Sequence, residues 1–263
     1  MKQNYVKPKK HLGQHFLTNE QIAHDIADIV PLNCVDLLLE IGPGTGVLTR
    51  YLYEDWGKSL TCFEVDTEST AYLSKQDWAL GLDVKEQDFL QANLVELANG
   101  RSIGLIGNYP YNISTEIAFR AIESKGIVKI FGGMFQKEVA ERFCAPHGSR
   151  TYGVTSVLLQ AMYDCKYLFT VDKEEFNPPP KVQSGVMICK LREEPLACQY
   201  KTLRTVVKTA FGQRRKTLNN ALKSLAGTGF ELPEEYKPMR AEQLSVEEFI
   251  SLARNWDVVK GKL

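Results

Sequence analysis

Asn108-Tyr109-Pro110-Tyr111 places a side-chain amide, a restrained backbone and an aromatic ring within four residues. That set suits transfer of a group to the exocyclic amino nitrogen of a purine. Such a nitrogen is a poor nucleophile, because its lone pair is delocalised into the ring. Acceptors on both N–H bonds draw it toward tetrahedral geometry. The Asn108 side-chain oxygen is one candidate acceptor. The Pro110 carbonyl, on a backbone with fixed φ, is the other. Tyr111 offers a face for stacking, worth about 1–3 kcal/mol per base. The base must first leave its own stack. Phe176, just ahead of NPPPKV, is the candidate for its second face. Asn-x-Pro-Tyr alone is also an ordinary turn, so its surroundings decide.

Those surroundings include a glycine-rich loop, EIGPGTG at 40–46. Gly42, Gly44 and Gly46 permit a tight turn and close approach to a ligand. Glu64 follows 22 residues after Gly42, where an acid can reach ribose hydroxyls. A dinucleotide fingerprint would put its third glycine at 47, which is Val47. The G-x-G-x-G spacing therefore favours a nucleoside ligand without a pyrophosphate, such as S-adenosylmethionine. Its methyl group would pass in line to the amino nitrogen, by positioning and electrostatics rather than a covalent enzyme intermediate. Asp88 is placed to accept from the cofactor's adenine amino group, with Phe89 as an apolar wall. Asp88 is equally suited to cap a helix. A glycine turn without a ligand is the plain alternative for the loop.

The elements that must hold these residues alternate. Thr18-x-x-Gln21 reads as a capping box. It opens a helix with Ile22, Ile26, Ile29 and Val30 on one face, stopped by Pro31. Apolar runs predict strands over 35–42, 59–66, 83–87, 102–108 and 129–136. Helices are expected over 46–57, near 68–80 and from Ser114. Two more strands are expected at 162–171 and 183–191, separated by FNPPPKV, which prolines bar from regular structure. Beyond about 197 the pattern turns helical, at 199–210, 214–226 and 245–255. The fold class is α/β: a Rossmann-like domain, doubly wound with a mostly parallel sheet, over 1–194, then a small helical domain over 195–263.

Composition narrows the function classes. With 44% hydrophobic and 24% charged residues in 263, the chain is globular. No apolar run nears about 18 residues, and the basic N-terminus lacks a signal-like apolar stretch. No membrane partner and a cytoplasmic location are expected. The six cysteines and four histidines lack metal-binding spacing, so no metal is expected and the thiols should stay reduced. The 32 basic and 32 acidic side chains cancel, which by itself argues against nucleic acid. Their distribution argues for it. Residues 1–19 hold Lys2, Lys7, Lys9 and Lys10 without an acid, and 195–230 hold seven cations without one. Lys9, Lys10, Arg214, Arg215 and Lys216 are the candidate phosphate contacts. Two solvated faces are the alternative.

These segments together resemble the small-subunit ribosomal RNA dimethyladenosine transferases, from about Lys9 to at least Asn219. GQHFL (13–17), EIGPGTG, GNYPYNIS (107–114), FQKEVAERF (135–143), FNPPPKVQS (176–184) and FGQRRKTLNN (211–220) carry the resemblance. It implies transfer from S-adenosylmethionine to two neighbouring adenines near the 3′ end of small-subunit rRNA, each dimethylated. It implies a substrate within an assembling subunit, and nothing suggests more than a monomer. It also implies cofactor contacts from His15, Leu17, Gly42, Glu64, Asp88 and Asn108, of which His15 and Leu17 have no signal in composition. Tyr109 departs from the family, where Leu is frequent: facing the core it is a packing change, facing the pocket it alters target fit. The rivals are a large-subunit rRNA adenine methyltransferase, a DNA adenine methyltransferase, a non-enzymatic RNA-binding assembly factor, and an oxidoreductase that the loop spacing disfavours.

Overall fold

The structure, a computed structural model, describes residues 6–261, so Lys2 lies outside it. LLLEI at Leu37–Ile41 is buried at every position, which only an interior strand allows. It is β2, after a two-residue β1 at Phe16–Leu17. It is joined by β3 (Leu60–Glu64), β4 (Asp83–Glu86), β5 (Ile103–Ile106), β6 (Val128–Gln136), β7 (Tyr163–Val171) and, after a two-residue β8 at Phe176–Asn177, by β9 (Ser184–Leu191). The seven-stranded sheet runs β4-β3-β2-β5-β6-β9-β7. Pairing is parallel from β4 through β6, and β9 runs antiparallel to β6. This is the doubly wound, Rossmann-like arrangement expected.

The chain moves outward from β2 to β3 and β4, then returns to lay β5 on the other side of β2. That reversal is a topological switch point, where ligands bind beyond the strands' C-terminal ends. Helices α1 (Glu20–Ala27), α2 (Thr49–Trp56), α3 (Thr67–Leu73), α4 (Leu94–Ala98) and α5 (Ser114–Glu123) accompany these strands. Ile26, Leu38, Leu52, Leu60, Ile106 and Met134 belong to one apolar cluster. Then come α6 (Lys137–Phe143), α7 (Val154–Gln160), α8 (Tyr200–Gly212), α9 (Leu218–Ala221) and α10 (Val246–Val259).

Several expectations are corrected. Asn19, not Thr18, caps α1, its side chain accepting from Ile22 N at 3.2 Å. Thr18 is committed elsewhere: its backbone N and Oγ1 donate to Glu175 O at 2.8 and 2.9 Å. The helix near 68–80 stops at Leu73, and a separate 3-10 turn at Asp77–Ala79 follows. That turn brings Trp78 against Gly46, where an added Cβ would lie 2.8 Å from the indole. FNPPPKV is not wholly irregular, since Phe176 and Asn177 precede the first proline and pair with β1. The helix over 214–226 shrinks to α9 and a 3-10 turn at Lys223–Leu225. Leu218 N donates to Met239 O at 2.7 Å and Asn219 N to Lys237 O at 3.2 Å, so tertiary pairing takes the amides of the expected first turns.

The domain boundary also changes. One compact unit comprises the chain up to 140 together with 166–191, and the other comprises 141–165 together with the chain from 192. A single cut at 194 assigns 141–165 to the wrong unit. Those residues pack with the C-terminal helices: Tyr152 meets Phe211 edge-on at 5.9 Å, and Arg192 N donates to Met162 O at 3.0 Å. Asn19→Ala should cost about 1 kcal/mol of stability through its lost cap. Urea unfolding, read as a lower midpoint at unchanged slope, checks this.

Candidate active site

The loop after β2 turns at Gly42, whose N donates to Phe63 O at 2.9 Å. Gly44, at φ +56, sits so close to Phe16 that a Cβ would lie 2.9 Å from the ring. Gly44 N donates to Glu64 Oε2 at 3.0 Å. Glu64 Oε1 accepts from Val65 N and Asp66 N, each at 2.9 Å. Burial pushes the Glu64 carboxyl up, and these three amides oppose that shift. Glu40, on β2, is 1% exposed. Burial pushes it up to about 8, against the Cys62 thiol at 3.6 Å from Oε2.

The loop after β5 begins with Asn108, bridged to Met134 of β6. Asn108 Nδ2 donates to His15 O at 3.0 Å, which leaves Oδ1 as the outward acceptor. Tyr109 is 1% exposed, stacked on Phe135 at 4.6 Å, with its hydroxyl donating to Gly132 O at 2.8 Å. Its departure from the family is therefore a packing change. Pro110 O accepts from Ile113 N at 3.2 Å and keeps a second lone pair. Tyr111 is half-buried, its hydroxyl 2.7 Å from Ser184 Oγ and its ring stacked on His15 at 5.6 Å. His15 Nδ1 lies 2.8 Å from Pro178 O.

One cleft thus gathers His15, Leu17, Gly42, Gly44, Glu64, Asn108, Pro110 and Tyr111. Two expected residues stand apart. Asp88 caps the 3-10 turn Phe89–Gln91, Oδ1 accepting from Leu90 N at 2.9 Å, and does not line the cleft. Phe176 is 3% exposed, paired with Leu17 and packed in the core, so it presents no face to a base. A second cleft, of about 860 Å³, opens beside Tyr111 and is bordered by Lys10, Gln136, Pro178 and Lys181. Sequence reasoning missed Gln136 and Lys181, because only folding brings β6 and the proline segment to Tyr111. It also missed Gln14 and Asp66, whose signal was proximity to His15 and Glu64.

The basic candidates divide. Lys9 is ion-paired with Asp66 and with Glu68, the latter at 3.4 Å, and is not free for phosphate. Arg214 donates to Arg150 O at 2.9 Å and sits over the Phe211 ring at 5.9 Å. Both hold the fold together. Lys10, Arg215 and Lys216 are exposed.

Among the described residues lining the first cleft there is no Lys or Arg, and there are two carboxyl groups, Glu40 and Glu64. With no cation to pair a pyrophosphate, and with Glu40 keeping its proton at neutral pH, this lining suits a phosphate-free nucleoside. A family model described as ribosomal RNA adenine dimethylase matches residues 6–257. The chain belongs to that family. Ribosomal RNA adenine dimethylases use S-adenosylmethionine, and the cleft fits it. Two relatives carry the name ribosomal RNA small subunit methyltransferase A. The one from Flavobacterium johnsoniae is 51% identical, with 95% of each chain covered. The one from Cytophaga hutchinsonii is 49% identical, covering 98% of this chain and 99% of that one. The fold matches the crystal structure of a dimethyladenosine transferase from Plasmodium falciparum at TM-score 0.81 and 23% identity, covering 94% of this chain and 98% of that one. It matches the 23S rRNA methyltransferase ErmE less well, at TM-score 0.66 and 22% identity over 90% and 99%. Among the described residues no His/Cys/Asp/Glu group could hold a metal, and no helix is long and apolar enough to cross a membrane.

Glu40 gives this site a pH signature. Its folded value near 8 lies above the ordinary 4.5, so the folded state holds the extra proton between them. Stability therefore falls as pH rises through that window. Glu40→Gln should match the wild type near pH ~5 and exceed it near pH ~9 by on the order of a few kcal/mol. Denaturant titrations of both proteins at the two pH values check it.

Proposed function

We propose that this protein transfers methyl groups from S-adenosylmethionine to N6 of two adjacent adenines near the 3′ end of small-subunit rRNA. It does so as a cytoplasmic monomer, on an assembling small subunit, and so contributes to subunit maturation. Relatives at about half identity over nearly full length bear the small-subunit name. The observation that carries the reading is Asn108: its amide is fixed by His15 O, in a cleft without Lys or Arg among its lining residues and three residues from Tyr111.

The chain's own groups do the positioning. Glu64 would meet the ribose hydroxyls, Leu17 and the Gly42–Gly44 backbone would wall the nucleoside, and His15 would border its methionine end. Asp88 lies outside the cleft's lining with Oδ1 on Leu90 N, and Oδ2 is the atom that would accept from the cofactor's adenine amino group. When bound, S-adenosylmethionine supplies an electrophilic methyl on a sulfonium. Asn108 Oδ1 and the second lone pair of Pro110 O accept the two N–H bonds of the target, which localises its lone pair. The Tyr111 face holds the flipped base, with Pro178 rather than Phe176 bordering that cleft. As the N–C bond forms, the sulfonium C–S bond would break with its electron pair kept on sulfur, and the nitrogen would lose one proton to water; one N–H then remains, so one acceptor releases its bond before the second transfer. Lys10, Arg215 and Lys216 serve RNA phosphates.

The decisive assay supplies labelled S-adenosylmethionine to unmethylated small subunits and analyses the nucleosides. Wild type should yield dimethyladenine, and Asn108→Ala at least a hundredfold less. Transfer only to large-subunit rRNA or DNA overturns the substrate, and RNA binding without any transfer overturns the reaction. Arg215→Ala with Lys216→Ala should flatten the slope of log K against log salt by about 0.7–0.9 per lost phosphate contact. Arg214→Ala should instead lower stability and leave that slope unchanged.

A further inference from the structure

We infer that Asp66 is a positioning residue for Asn108, acting at a distance through the N-terminal segment that carries His15. This rests on the proposed role of Asn108. Asp66 sits at the turn after β3, 2% exposed, and is itself rigidly held. Its N donates to Glu64 Oε1 at 2.9 Å, Oδ1 accepts from Glu68 N at 3.1 Å, and Oδ2 accepts from Ser69 Oγ at 3.1 Å. Those bonds alone would make it a helix cap. Two further bonds reach out of the turn, and both go to the N-terminal segment. Lys9 Nζ pairs with Oδ1, and Gln14 Nε2 donates to Oδ2 at 2.9 Å.

The segment is closed on itself by the same groups. Lys9 N donates to Gln14 Oε1 at 2.8 Å, so the Gln14 amide ties the two ends of the loop to each other and to Asp66. The next residue is His15. Its carbonyl takes the Asn108 Nδ2 proton at 3.0 Å and its ring lies on Tyr111. Two groups of the catalytic loop therefore lean on a segment that Asp66 anchors on its N-terminal side, through Lys9 and Gln14, and that the His15 Nδ1–Pro178 O contact and the β1–β8 pairing hold on the other side. Although burial pushes that carboxyl up, Gln14, Lys9, the Glu68 amide and Ser69 hold it below its ordinary value, so it stays ionised for Lys9. Without the clamp the His15 carbonyl is held from its C-terminal side alone, by the Pro178 contact and the β1–β8 pairing. The Asn108 amide then loses part of its restraint, and Oδ1 is less well preset as an acceptor. Preset geometry is what transfer to a poor nucleophile requires.

The test removes the clamp and keeps the cap: Lys9→Met with Gln14→Leu in the full chain, beside wild type and Lys9→Arg. Three readouts are taken. Hydrogen exchange of the cofactor-free protein should quicken at least tenfold over residues 12–15 and stay unchanged over 37–41. The Asn108 side-chain amide resonances should move toward those of a free amide. The kcat for methyl transfer should fall at least tenfold with KM for rRNA within twofold, and Lys9→Arg should largely restore it. Unchanged exchange and an unchanged Asn108 amide overturn the inference, leaving Asp66 a helix cap. A raised KM with a flatter salt dependence and intact kcat overturns it too, making Lys9 an RNA contact. If wild type transfers no methyl group, the proposed function fails, while exchange and the Asn108 resonances still decide whether Asp66 positions that amide.

Discussion

Parallel pairing of β2 with β5 sets Glu40 directly beside Ile106, and the site depends on that register. The two strands end at the same edge, so the loops that leave them start side by side. One supplies the glycine cradle and the other the Asn108–Tyr111 turn. Parallel strands require long crossovers, and here the crossovers through β3 and β4 deliver Glu64 and Asp88 to the same edge. A shift of one residue in β2 would turn every side chain to the opposite face and misplace the cradle.

Within that frame the charges are sorted by location. The cleft's described lining holds no Lys or Arg, and of its two carboxyl groups Glu40, on β2, keeps its proton at neutral pH. Cations lie on exposed turns, as at Arg215 and Lys216. A net charge of zero conceals both features. Lys9 and Arg214 show why a tally of basic residues overstates an RNA surface: each is held by intramolecular partners that only the fold brings near.

The sheet was legible because β2, β3, β5 and β6 are continuous apolar runs, and the loops after them carry Gly, Asn and Pro in places with few structural uses. What escaped depended on partners distant in sequence. Thr18 has the composition of a cap but spends its donors on Glu175. Phe176 has the composition of a stacking ring but pairs with Leu17 and enters the core. The stretch 214–226 has helical periodicity, yet Met239 and Lys237 take its amides. No element is expected over α7, and its buried run Ser156–Leu159 does not say what it packs against, so its membership in the second unit was invisible.

That membership governs how the protein is made. Residues 141–165 leave the ribosome before 166–191, which contain β9, the strand lying between β6 and β7. During synthesis the first unit must wait, its sheet open beside β6, while part of the second has already emerged. The second in turn waits for the chain beyond 192. Neither can close as a finished module before the other has begun, so the two maturation histories are interleaved in time as their segments are in sequence.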